Sequence, residues 1–204
     1  LFLREEGSSL IELLVAISLL TIVMGSITGM LIMSMRTQDE VNADFRSQLD
    51  VRQALYDMEK NLAEAMRKDS AGMQPIFQAN ALTVPTQRGN WITYEYVTKP
   101  GSDRPTIIRH YSTQRPYSLP ITPTTDEKEM IEMDSGDLRT SVQPLSPEGP
   151  IFTYYDVNGN SIAAPVATPR NVKSIKVSFL VTVGDGHAEG EPTASSTQIY
   201  LRNF

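Results

Sequence analysis

Glu12 is the only charged side chain between Leu10 and Met35, in the run LIELLVAISLLTIVMGSITGMLIMSM. A carboxylate near the centre of a membrane helix costs about 2.5–3.5 kcal/mol on insertion scales and less toward the interface. One reading places Glu12 at headgroup depth. The other gives it a cationic partner, and no downstream residue of the run can supply one. A new α-amino group can: cutting the chain after Gly7 leaves Ser8 first and puts Glu12 at the fifth position. The chemistry Glu12 then offers is an ion pair in a low-dielectric setting. Such a pair offsets its desolvation only in one geometry and so selects register.

Other residues offer less. Asp156, Asn158 and Asn160 alternate like the start of a calcium loop, but glycine stands fourth and Ala167 twelfth, where an EF-hand needs glycine sixth and glutamate twelfth. Asn158-Gly159 is also the signal of a tight turn, the favoured reading. Asp126, Glu127, Glu129, Glu132 and Asp134 form an acidic cluster that reads as a solvated loop, with a surface facing a basic groove on a neighbouring subunit as the alternative. The two histidines, His110 and His187, have no zinc-ligand spacing; His110 reads as a strand-face residue and His187 as part of a Gly-rich turn. With no cysteine, disulfides, thiolate catalysis and cysteine metal sites are excluded. The 18 basic residues against 24 acidic ones form no basic run, so the footprint of a nucleic-acid binder is missing. No P-loop, nucleophile elbow or dinucleotide loop occurs, and neither an enzyme nor a cofactor is implied.

The elements that position Glu12 follow from hydropathy. At about 1.5 Å per residue, Leu10 to Met35 reaches roughly 39 Å as a helix, beyond the ~30 Å of a hydrocarbon core. A secretory signal fits poorly, since the run is too long, contains Glu12, lacks a small-residue cut site and follows no basic region. Gly25 and Gly29 give a small-xxx-small spacing that suits close helix packing, or local melting of the helix. Beyond Arg36 the chain turns polar but keeps helical steps at Val41, Phe45, Leu49, Leu55, Met58, Leu62 and Ala65. These predict one continuous helix over 8–70 with a single apolar stripe, stopped by Gly72 and Pro75.

Residues 71–204 read as β. The expected strands are 81–86, 91–97, 106–112, 151–157, 172–183 and 197–202, with Asp185-Gly186 allowing a hairpin between the last two. Residues 113–150 carry many prolines and read as a long excursion with room for one short strand. The fold class is therefore α+β: a long N-terminal helix, its first half transmembrane, packed on an antiparallel β-sheet head. The expected division is a short N-terminal segment 1–7, a transmembrane helix 8–36, the amphipathic half of that helix 37–70, and a head 71–204.

The stretch Gly7-Ser8-Ser9-Leu10-Ile11-Glu12-Leu13-Leu14 resembles the cleavage signal of type IV pilins and pseudopilins. The family usually carries Phe or Met where this chain has Ser8, and a basic flank where it has Glu5-Glu6. The order RQALYDMEKNLAEAMR, WITYEY, IIRHYS, FTYYDVNGN, KSIKVSFLVTV and YLRN is similar to J-type minor pseudopilins of type II secretion and W-type minor pilins of type IV pili. Many J-type members carry tryptophans after the FTYYD-like segment, where this chain has Asn160-Ser161-Ile162-Ala163-Ala164.

The resemblance implies a pilin-like fold and a non-enzymatic subunit that initiates or caps a filament. It implies cleavage between Gly7 and Ser8 by a prepilin peptidase, methylation of the Ser8 amine, and pairing of Glu12 with a neighbouring subunit's N-terminus. It places the protein in a bacterial inner membrane with its head outside the cytoplasm, then in a periplasmic or surface filament. Its partners are other minor and major pilins or pseudopilins and the inner-membrane assembly platform, with no nucleic acid. The competing expectation is a single-pass membrane-anchored binding module, adhesin or enzyme outside any filament, with Tyr111 to Pro123 as candidate surface.

Overall fold

The computed structural model describes residues 10–98, 104–116, 127–130, 134–135, 138–184 and 192–204. The chain divides into two compact units, Leu1–Asp44 and Phe45–Phe204. It is an α+β protein, with one long helix and two antiparallel sheets among the described residues.

Helix α1 runs Leu10–Ala63. Within the first unit its apolar side chains from Leu10 to Met35 are all exposed. The segment Leu10–Gln38 is long and apolar enough to cross a membrane. Five of its hydroxyls bond back along the helix. Ser18, Thr21, Ser26, Thr28 and Thr37 each donate to the carbonyl four residues back, at 2.8 to 3.0 Å. Such back-bonding removes the cost of an unpaired hydroxyl in an apolar setting.

In the second unit, five strands form one sheet: β1 Ile76–Phe77, β2 Ala81–Pro85, β3 Trp91–Thr98, β4 Pro105–Ser112 and β5 Glu127–Glu129, in that order. Six form another: β6 Asp134–Ser135, β7 Leu138–Pro144, β8 Phe152–Tyr155, β9 Ser161–Ile162, β10 Ser174–Gly184 and β11 Thr193–Tyr200. Strand β10 is the spine. Phe179–Gly184 pairs with β7 and Ser174–Val177 with β8 along one edge, while β11 takes the other edge over Ser174–Val181.

One core joins the helix to both sheets. It contains Val51, Ala54, Met58 and Leu62 of α1, Phe77, Leu82, Val84, Ile92, Tyr94 and Ile107 of the first sheet, and Phe152, Tyr154, Ile175, Val177, Phe179 and Ile199 of the second. Alternation along each strand puts these residues on one face. The opposite face of the first sheet is also buried but more polar, with Thr83, Thr93, Glu95, Thr106 and His110. There the Thr83 and Thr93 hydroxyls meet at 2.9 Å across the β2–β3 pair.

Three expectations are corrected. The helix ends at Ala63 and not near residue 70, because backbone groups beyond it find partners in the sheets. The Met66 amide donates to the Pro85 carbonyl at 2.8 Å, the Asn203 amide side chain donates to the Ala65 carbonyl at 3.2 Å, and Met66 and Asn203 form a parallel bridge. Nor is the apolar pattern one stripe. Val41, Phe45 and Leu49 are exposed, whereas Val51, Ala54, Met58 and Leu62 are buried. At 3.6 residues per turn, the step from Leu49 to Val51 is a rotation of about 200°, so the two sets lie on different faces. Finally, the excursion 113–150 contains β5, β6 and β7 and not one short strand, and β7 pairs over six positions with β10. Among the β7 residues whose burial is described, Thr140 and Val142 point inward, a pair too short to read as alternation from sequence.

Two buried tyrosines tie the core together. The Tyr154 hydroxyl donates to the Gln78 carbonyl at 2.6 Å, linking the second sheet to the β1–β2 turn. Burial pushes its phenol well above the ordinary tyrosine value. Burial likewise raises Tyr94, whose oxygen accepts from Asn61 at 2.9 Å. A tyrosine raised on folding contributes stability that is complete below the unfolded value and lost as pH climbs past it. The expected result is that urea stability of the head holds to about pH 10 and falls steeply above it. Tyr154→Phe should flatten that fall; an unchanged alkaline slope in the variant would contradict it.

Candidate functional site

Glu12 stands in the first turn of α1 as described from Leu10. Gly25 and Gly29 lie within unbroken helix, and a methyl group added at either position meets nothing within 4 Å. Their faces are therefore open for another helix to approach closely. Gly7 and Ser8 lie outside the described residues, as do His187 and Asp185-Gly186. Of the acidic cluster, Asp126 and Glu132 fall outside them, while Glu127 and Glu129 belong to β5 and Asp134 to β6.

The Asp156–Asn160 segment is a closed turn. The Asp156 amide donates to the Asn160 carbonyl at 3.0 Å, and Gly159 takes a φ of +81° that glycine adopts without strain. The Asp156 carboxylate accepts the Asn158 and Asn160 backbone amides, both at 2.8 Å, and the Asn160 side-chain amide at 3.2 Å. These donors, the Asn160 backbone amide first, hold its carboxyl below the usual carboxylate range. A calcium ion at Asp156, Asn158 and Asn160 would have to compete with all three bonds. Calorimetric titration of the protein with calcium is expected to be flat, and a saturable heat lost in Asp156→Ala would contradict this.

His110 is buried on β4, with Nε2 at 3.7 Å from the Glu95 carboxylate on β3. Their strands are adjacent, so the contact follows from the register that sets Thr93 opposite His110. Among the described residues no group of three or more His, Cys, Asp or Glu is arranged to hold a metal.

A second polar cluster was not singled out by sequence. Asp57 and Asn61, one helical turn apart, face the first sheet. Asp57 forms an ion pair with Arg109 of β4, and Asn61 bonds Tyr94 of β3. Arg109 also lies 4.6 Å above the Tyr111 ring. The cross-strand pair Tyr94–Arg109 thus presents two polar ends to the helix. The signal was available, since Asp57 and Asn61 interrupt the apolar face at a spacing of four. Sequence could not say that Arg109 would lie opposite. The cluster positions the helix on the sheet.

No family model, curated protein or solved structure matches this chain.

Proposed function

We propose that this protein is a minor pilin or pseudopilin: a non-enzymatic subunit that helps initiate or cap a type IV pilus or a type II secretion pseudopilus. The observation that carries the reading is Glu12, placed in the first turn of a long apolar helix and five positions after Gly7. An α+β head with that helix in its core is compatible with a pilin-like fold. The helix stands in the inner membrane and later in the filament, where Gly25 and Gly29 allow close packing or melting. Glu12 pairs with the N-terminal amine of a neighbour and sets the register of assembly. Prepilin peptidase, the inner-membrane assembly platform and other pilins or pseudopilins are its partners.

The test is the N-terminal mass of the protein from membranes and from sheared filaments, with and without the candidate prepilin peptidase. A mature chain beginning at Ser8, lost without the peptidase, is the expected result. An intact Gly7–Ser8 bond in both backgrounds would overturn the reading in favour of an anchored binding module, adhesin or enzyme.

A further inference from the structure

Strand β11, the eight residues TASSTQIY, pairs with β10 on one side only among the described residues. The Leu201 amide donates to the Lys173 carbonyl at 2.9 Å, in register with the β10–β11 ladder. Alternation from that bond directs the backbone groups of Thr193, Ser195, Thr197 and Ile199 toward β10. Those of Ala194, Ser196, Gln198 and Tyr200 point to the open edge. Such an edge is a template for another strand, and proteins usually blunt it with charges, proline or a bulge. Between Thr193 and Tyr200 there is no charge and no proline, and the pairing with β10 is unbroken.

We infer that β11 is a self-association edge that pairs antiparallel with β11 of a second copy. Charge selects this occupant. Arg202 follows the strand and the eight residues of β11 carry no charge, so antiparallel self-pairing sets the two copies' basic ends at opposite ends of the paired strands, where a parallel pair would set them side by side. Nothing within the strand opposes a like charge. Geometry selects the register. A two-fold axis at Thr197 sets Ser196 opposite Gln198 and Ala194 opposite Tyr200, which engages every outward backbone group of the strand. Thr197 then faces its own copy in a non-hydrogen-bonded pair, where Cα atoms lie about 4.5 Å apart. That separation falls within disulfide reach.

The chain has no cysteine, so Thr197→Cys supplies a single thiol in the full-length protein purified in detergent. On mild oxidation it should give a disulfide dimer roughly tenfold faster or more than Val157→Cys, an exposed site on the Asp156 turn, because pairing raises the local thiol concentration. Adding Ser196→Pro removes an outward amide and no bond to β10, and should abolish the excess rate without changing the melting of the head. Ser196→Lys leaves the backbone intact, sets like charges about the axis, and should slow the cross-link in a way that salt relieves. Equal rates at Thr197→Cys and Val157→Cys would overturn the inference. So would a chain that stays monomeric, whether its edge is bare or holds a strand from another protein. The assay reads the purified protein alone and is independent of leader cleavage and filament incorporation.

Discussion

Glu12→Ala is expected to leave membrane insertion and leader cleavage largely intact while nearly eliminating the protein from filaments. The substitution removes a carboxylate from an apolar helix, which favours insertion. If the protein assembles as proposed, the substitution also leaves the neighbouring subunit's ammonium without a partner in the filament core. Breaking a buried pair by deleting one member costs about 3–5 kcal/mol, so the assembled fraction should fall by roughly a hundredfold or more. Glu12→Gln keeps the shape and loses the charge, and should behave like the alanine variant. Immunoblots of membrane and sheared fractions read both steps. Normal incorporation of Glu12→Ala would sink the docking argument, and failure to reach the membrane would show that Glu12 acts earlier.

Leu62→Ala is the second large effect. Leu62 is fully buried among residues of the helix and both sheets. A buried leucine truncated to alanine costs about 2–5 kcal/mol, a large part of the ~5–15 kcal/mol that holds a domain folded. Phe45→Ala, on the exposed set of helix positions, should change stability by no more than about 0.5 kcal/mol. Both are read from urea titrations of the chain lacking residues 1–35, followed by fluorescence of the buried Trp91. Equal losses from the two substitutions would show that the two faces of the helix are not distinguished as described.

Local patterns carried much of the fold into the sequence. The apolar run, the strands at β2, β3 and β4 and the turn at Asn158-Gly159 all depend on residues close together in the chain. What was not legible depends on distant partners. β11 starts at Thr193 although Thr193-Ala194-Ser195-Ser196 has little strand pattern, because the long β10 ladder recruits it. The helix stops at Ala63 because Pro85 and Asn203 compete for the next turn's backbone groups. The head is expected from sequence as one sheet, and the split into two follows from pairings such as β7 with β10 that no local signal encodes. Of the site, Glu12, Gly25 and Gly29 were legible because a charge or a glycine in an apolar run needs no partner to be noticed. Asp57, Asn61 and Arg109 were not, because their meaning lies in a contact across the helix–sheet packing.

The bridge between Met66 and Asn203 has a kinetic consequence. It joins the end of the helix to residues after the last strand, across almost the full length of the head. Contacts of such sequence separation require loop closure before they stabilise anything, and chains rich in them fold slowly. A chain that emerges from its N-terminus first therefore cannot complete the core around Met58 and Leu62 until β11 and the residues beyond it have arrived. During that interval the apolar face of the helix and the edge of β10 are available to the wrong partners. The contacts that complete the head are therefore made by the residues synthesised last.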